Sequence, residues 1–230
     1  MLIEKRLSWT MFNRIAPTYD RANRWLSFGI DRYWRKRLVA QIPHKVGQTI
    51  VDLGTGTGDV LVALARRFRD RHLIGIDPAE DMLNLATPKV AKWGPQVQLK
   101  VGSADDIPLD ACSVDALTMA FAIRNVPDVP RALQEMYRIM KPGGTACILE
   151  FSIPTNLLIK RLYLFYFRRI IPVFGGLISG DRAAYQYLNV SVEAFPYGQE
   201  FAELMKKAGF SEVTVISMTC GIASIYIGKR

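Results

Sequence analysis

Residues 50–59, read as Ile-Val-Asp-Leu-Gly-Thr-Gly-Thr-Gly-Asp, constrain the fold of this chain more than any other stretch. Ile50, Val51 and Leu53 are β-formers in a short apolar run, whereas Val60, Leu61, Leu64, Ala65 and Phe68 recur at helical spacing. The order is therefore strand, glycine turn, helix. Gly54, Gly56 and Gly58 let the backbone pass close to a ligand and take φ values that other residues avoid. A second apolar run, Leu73 to Ile76, ends on Asp77. In open α/β sheets the crevice beyond the strands' carboxyl ends takes nucleotides, and an acid ending the next strand can accept hydrogen bonds from ribose hydroxyls. Asp52, Gly54, Gly56 and Asp77 thus read as contacts to an adenosine-containing cofactor.

The spacing narrows the choice of cofactor. A dinucleotide pyrophosphate is usually cradled by Gly-x-Gly-x-x-Gly at a helix start. Here the spacing is Gly-x-Gly-x-Gly followed by Asp59, whose carboxylate would repel a pyrophosphate and suit the cationic sulfonium and ammonium of S-adenosylmethionine. S-adenosylmethionine is the expected cofactor.

Size and charge bound the rest. A chain of 230 residues, 50% hydrophobic, can bury one substantial core, so a single domain over 1–230 is expected. The net charge of +9 and pI of about 9.6 point to polyanions, whether nucleic acid or an anionic membrane face. Cys112, Cys147 and Cys220 are odd in number and far apart, as reduced packing residues of a cytoplasmic protein would be. With only His44 and His72 and no cysteine pair, neither a metal site nor a catalytic triad is expected. The opening Met-Leu-Ile-Glu-Lys-Arg lacks the apolar core of a secretion signal.

Along the chain, strands are predicted at 72–77, 97–101, 114–121 and 145–151, and helices at 79–91 and from Asp128 to Met140, the latter stopped by Lys141-Pro142-Gly143-Gly144. A helix over 199–208 and an antiparallel pair at 212–217 and 223–228 complete a doubly wound, mostly parallel α/β sheet. Residues 47–151 form the cofactor-binding core and 196–230 the final helix and strand pair. Two segments fall outside the pattern: 1–46, expected to be a helical lid, and 152–195, expected to carry substrate selection or membrane contact.

Several blocks go beyond the fold. From Phe12 the chain reads Phe-Asn-Arg-Ile-Ala-Pro-Thr-Tyr-Asp-Arg-Ala-Asn-Arg-Trp-Leu-Ser-Phe-Gly-Ile-Asp-Arg-Tyr-Trp-Arg, and later blocks read Phe121-Ala122-Ile123-Arg124-Asn125-Val126, Leu149-Glu150-Phe151-Ser152, Tyr185-Gln186-Tyr187-Leu188 and Phe195-Pro196. In this order, over nearly the whole chain, they closely resemble the ubiquinone/menaquinone biosynthesis C-methyltransferase family. The resemblance implies a class I S-adenosylmethionine-dependent methyltransferase with a seven-stranded sheet whose C-terminal strand is antiparallel, acting on a polyprenyl quinol. It places Thr57 on the family's cofactor-contacting threonine, Asp77 on its ribose-binding acid, and Ser103 and Ala104, just before Asp105, on the pair flanking adenine. Ala120 beside the cofactor stands where relatives often have serine. Asp31 replaces a histidine, Ala122 a glycine, Val190 a glutamate and Tyr226 a histidine.

A methylated ring carbon must first be made nucleophilic by ionising an adjacent hydroxyl and must afterwards lose a proton. Arg124 and Asn125, following the fourth strand at the cofactor edge, are the first candidates, with arginine favouring a phenolate rather than acting as a base. An arginine there equally serves a plain salt bridge. Tyr19 and Asp20 are the second pair, able to close over the cofactor or relay a proton, and Tyr185 and Tyr187 are candidates to line the quinol pocket.

A polyprenyl substrate demands contact with lipid, yet no uninterrupted run of about 18 apolar residues is present. Over 157–171 a helical wheel puts Leu162, Tyr163, Tyr166, Phe167 and Ile170 on one face and Lys160, Arg161 and Arg168 on the other. That suits a helix lying on the anionic inner face of the cytoplasmic membrane, ended by Pro172, Gly175 and Gly176. No nucleic-acid partner is expected, because neither a base-modifying signature nor an RNA-binding module is visible. A nucleic-acid methyltransferase and a non-catalytic cofactor-binding scaffold are the other classes this fold allows. A homodimer and contacts with other quinone-biosynthesis enzymes stay open. Demethylmenaquinol is favoured over a methoxybenzoquinol, because the short chain lacks extra elements and that is the activity most widely met in the family.

Overall fold

The computed structural model describes residues 8–45 and 47–230. The expectation about a secretion signal falls on residues outside these. Helices α1 (Ser8–Leu26) and α2 (Ile30–Ala40) precede β1 (Thr49–Leu53), α3 (Asp59–Arg67), β2 (His72–Asp77), α4 (Glu80–Val90), β3 (Val97–Val101), β4 (Val114–Ala120), α5 (Val129–Ile139) and β5 (Met140–Phe151). The chain then forms α6 (Leu157–Phe165), α7 (Ile171–Ser179), α8 (Arg182–Ala194), α9 (Gln199–Lys207), β6 (Ser211–Met218) and β7 (Ala223–Lys229). All seven strands join one sheet in the order β3-β2-β1-β4-β5-β7-β6, with only β7 antiparallel to its neighbours. The doubly wound sheet read from the sequence is present.

Its strands are apolar on both faces because helices cover both. On one face Val51, Leu117, Met119 and Ile148 pack against Leu133 and Met136 of α5 and Phe201 and Met205 of α9. On the other, Ile50, Ala116, Leu149 and Ile225 meet Trp34 and Leu38 of α2 and Leu61 and Leu64 of α3. The strand order turns back between β1 and β4, so the crevice expected for a ligand opens at their carboxyl ends.

Two local expectations change. Lys141 to Gly144 does not stop a helix but begins β5 as a bulge, the pairing shifting from Val114 opposite Met140 to Ala116 opposite Thr145. Met140 is already extended (φ −72°, ψ 146°), and Pro142 biases the residue before it away from helix. Of the cysteines, only Cys147 is a core residue, whereas Cys112 and Cys220 are exposed in turns with positive φ.

The two segments outside the sheet pattern pack on each other. Met11, Ile15 and Ala22 of α1 join Tyr163, Phe167 and Ile171 and, from α8, Ala184, Tyr185, Tyr187 and Val192 in one buried cluster. Pro172, Gly175 and Gly176 do not end the helix here. A π turn at Tyr166–Ile170, in which the Ile171 N–H reaches back to the Tyr166 carbonyl, starts a new register, and Pro172 falls in the first turn of α7. There its missing N–H costs little. The continuous helix spans Leu157–Ser179, 23 residues, and Gly180 in the left-handed region ends it. By length and composition it could cross a membrane, contrary to expectation, although Tyr163, Phe167, Ile171 and Gly175 face the interior. The π turn also breaks the simple helical wheel. Tyr163 and Phe167 are buried, and the exposed apolar set is Leu157, Leu158, Leu162, Phe165, Val173, Phe174 and Leu177.

Gly175 lets α8 close on α7, because a Cβ there would sit 2.4 Å from the Tyr185 ring. Gly175→Ala is therefore expected to destabilise the protein by about 1–3 kcal/mol, read as a lowered urea midpoint.

Candidate active site

The glycine turn lies against the segment that follows β4. Gly54 has φ +61°, and a Cβ on it would come within 2.4 Å of the Ala122 Cβ. At the end of β2 the Asp77 carboxylate accepts from the Gly56 N–H at 2.7 Å and from the Ala79 N–H at 2.9 Å. Burial pushes its carboxyl up to about 6, against the pull of those amides. A cavity of about 490 Å³ opens beside it, lined by Gly54, Gly56, Asp77, Ser103, Ala104, Asp105, Ala120 and Asn125. Ala79 and Met82 add apolar wall, and the Ser103 hydroxyl donates to Asp105 at the far side. Each Asp77 oxygen keeps accepting capacity for a ribose hydroxyl, and the apolar wall suits a purine, so these residues fit the adenosine part of S-adenosylmethionine.

Other expected cofactor residues sit elsewhere. Asp52 lies fully buried beneath the turn, where Thr55 Oγ1 and Thr118 Oγ1 each donate to it at 2.7 Å, and burial pushes it up to about 7. It props the turn and lines neither cavity described here. Thr57 donates to Asp20 at 2.5 Å, and Asp20 also meets Lys89 at 2.5 Å. Lys89 reaches Asp59 at 2.9 Å, so the carboxylate expected to face the cofactor's cation has a lysine as counter-charge. Asp20, a catalytic candidate by sequence, ties α1 to the glycine turn and α4 and is not among the lining residues of either cavity.

A second cavity, of about 700 Å³, lies between the helical cap and the sheet. Phe12, Tyr19 and Phe121 line both cavities, so these three side chains mark the junction. Phe121 is left-handed (φ +57°), a conformation that costs free energy outside glycine. Its N–H bonds to the Leu149 carbonyl at 2.8 Å, and its carbonyl accepts from Arg124 Nη1 at 2.6 Å. The same nitrogen donates to Glu150 Oε1 at 2.8 Å, forming a buried ion pair, and burial holds Glu150 above the usual carboxylate range despite Arg124. The expected pair is thus divided across the 3₁₀ turn Ile123–Asn125: Arg124 lines the larger cavity and Asn125 the smaller.

Tyr19 sits at the junction beside Asn23, with the charges of Arg35 and Arg124 drawing its phenol down and burial raising it further. Tyr185 and Tyr187, the candidates for an acceptor pocket, line the larger cavity together with Tyr163. Burial raises all three phenols, Tyr185 to about 12, so they stay protonated at neutral pH and are able to donate a hydrogen bond rather than act as bases. Arg35, Asp31, Glu150, Tyr163 and Phe151 were not read as site residues from sequence. The available signal was the Asp31/Arg35 spacing on α2, which places the pair on one helix face.

Two outcomes follow from the buried carboxylates. Asp77→Ala removes the acceptor for ribose, and S-adenosylmethionine affinity by calorimetry is expected to fall at least about tenfold. In the unmodified protein that affinity is expected to weaken as pH drops below about 6, where Asp77 protonates. For Asp52 the sign is opposite to that of a salt-bridged acid. Its raised folded pKa makes ionisation cost stability as pH climbs from its ordinary 3.8 to about 7. Asp52→Asn should therefore gain melting temperature relative to the parent between pH 5 and pH 8, measured by calorimetry.

The ubiE/COQ5 methyltransferase family model matches residues 2–230. The ubiquinone/menaquinone biosynthesis C-methyltransferase UbiE of Geobacter sulfurreducens is 44% identical, over 96% of this chain and 87% of that protein. The demethylmenaquinone methyltransferase of Thermus thermophilus is 42% identical, over 96% of this chain and 100% of its own. Among solved structures, a possible histamine N-methyltransferase from Thermotoga maritima aligns with TM-score 0.70 at 22% identity, covering 96% of this chain and 99% of that one. A Haemonchus contortus phosphoethanolamine N-methyltransferase bound to S-adenosyl-L-methionine aligns with TM-score 0.66 at 18% identity, over 91% of this chain and 56% of that chain. The structural likenesses establish the fold, and the sequence matches establish that this chain belongs to the ubiE/COQ5 methyltransferase family, as an S-adenosylmethionine-dependent methyltransferase.

Proposed function

We propose that the chain methylates a ring carbon of a polyprenyl quinol, with demethylmenaquinol as its acceptor, at the inner face of the cytoplasmic membrane. The observation that carries this reading is that Phe12, Tyr19 and Phe121 line both cavities, with the buried Arg124 in the wall of the mostly apolar larger one. S-adenosylmethionine supplies an electrophilic methyl on positively charged sulfur. Arg124, oriented by Glu150 and the Phe121 carbonyl, offers the cation that favours a phenolate, which sends electron density onto the neighbouring ring carbon. Tyr19, held protonated, can donate a hydrogen bond at the junction, and the surrounding aromatic side chains exclude water. Relatives named for demethylmenaquinone support the naphthoquinol. Relatives named for both pathways support a methoxybenzoquinol as the second reading.

The mouth of the larger cavity supports the membrane setting. Phe28 and Leu162 line the cavity yet are 86% and 62% exposed, so the opening meets solvent on an apolar rim. Trp25, Leu157, Leu158, Phe165, Phe174 and Leu177 are also exposed, on α1 and on the long helix that carries Lys160, Arg161, Arg168 and Arg169. Such an apolar and cationic surface suits a helix lying in an anionic lipid interface, with the prenyl tail passing out through the mouth. The buried stripe of that helix argues for lying along the bilayer rather than crossing it.

Incubation with labelled S-adenosylmethionine and either short-chain demethylmenaquinol, a methoxybenzoquinol or tRNA should label the naphthoquinol. Label only in tRNA, or in none of the three, would sink the proposal. Phe165→Ser combined with Leu177→Ser, away from both cavities, should reduce co-sedimentation with anionic liposomes several-fold, about 1 kcal/mol or more. Unchanged sedimentation would remove the interfacial surface.

A further inference from the structure

The larger cavity holds a second ion pair, largely buried, beside that of Arg124 and Glu150. Asp31 of α2 accepts from Arg35 one turn later on one oxygen and from the Ser27 hydroxyl at 2.8 Å on the other. Asp31, Arg35 and Ser27 all line the cavity, as Arg124 does. The two guanidiniums sit against the members of one aromatic pair. The Phe121 and Phe151 rings are 4.5 Å apart, with Arg35 Cζ 5.9 Å from the Phe121 centroid and Arg124 Cζ 5.4 Å from the Phe151 centroid. Both arginine charges also act on the Tyr19 phenol, which places them around the point where the two cavities meet.

A structural role explains this poorly. Burying an ion pair costs desolvation that a hydrophobic pair would avoid, and two cations near one phenol repel each other. A guanidinium also has more N–H donors than one carboxylate can engage, so Arg35 retains donors beyond those it gives to Asp31. A quinol carries oxygens on opposite edges of its ring, and one cation alone would leave the ring free to swing about that contact. We propose that Arg35, clamped by Asp31, is a second substrate-binding residue, holding the quinol oxygen remote from the reacting carbon while Arg124 holds the adjacent one. Arg124 takes the adjacent oxygen because its neighbour Asn125 lines the cofactor cavity. Two fixed oxygens determine which ring carbon faces the methyl donor. This inference rests on the quinol reading of the site.

The test uses the full chain, short-tailed demethylmenaquinol and a prenylated 1-naphthol that lacks the remote hydroxyl. The naphthol is read as a substrate or, where turnover is absent, as a competitive inhibitor. Arg35→Gln should raise KM for the quinol about ten- to a hundredfold, with a smaller change in kcat, and leave the KM or Ki of the naphthol nearly unchanged. Arg35→Lys should recover part of the loss, and Asp31→Asn should show the same selective pattern more weakly. Calorimetric S-adenosylmethionine affinity should stay at the parent value in all three. Should Arg35→Gln not fold, Arg35→Lys and Asp31→Asn carry the comparison. Equal losses on both acceptors would overturn the inference and leave the quinol reading standing. A parent enzyme that methylates neither acceptor and is inhibited by neither overturns both.

Discussion

The site depends on the close approach of the glycine turn to the segment after β4. Gly54 has no side chain, and the Ala122 methyl takes up the space a Cβ would need. With those loops in contact, the carboxyl ends of β1 and β4 present their residues to a common space. Phe121 leaves the strand in a left-handed conformation that costs on the order of 1–3 kcal/mol. Its two backbone hydrogen bonds, to Leu149 and from Arg124, and its ring contacts with Trp34 and Phe151 offset that strain. Phe121, which lines both cavities, is therefore fixed by backbone chemistry as much as by packing.

The strands and the place of Asp77 beside the glycine turn were legible in the sequence because both depend on local pattern. A strand covered on both faces shows as an apolar run, and Asp77 ends one. Asp52, Thr57 and Asp59 were harder, because their roles depend on which way a turn residue points and on partners far along the chain. Lys89 is thirty residues from Asp59 in sequence and neutralises it in space. The apolar face that the wheel gives the long helix is largely its buried one, because Tyr163 and Phe167 meet α1 and α8 from far along the chain, and the π turn at Tyr166–Ile170 shifts the periodicity beyond it. Asp31 and Arg35 resemble an ordinary helix-surface pair until Phe121, from the end of β4, is laid against them.

The cap divides its apolar residues between two uses. Tyr163, Phe167 and Ile171 complete a core with α1 and α8, whereas Leu157, Leu162, Phe165 and Leu177 find no protein to cover them among the described residues. The same helix therefore walls the larger cavity and carries much of the apolar surface around its mouth.

Tyr19 belongs to both cavities and stands on α1, which Asp20 fastens to Thr57 and Lys89. A wall shared by two rooms cannot be moved for one of them alone. Any displacement of α1 would therefore open both cavities together, and the bonds from Asp20 to Thr57 and Lys89 are among those it would have to break.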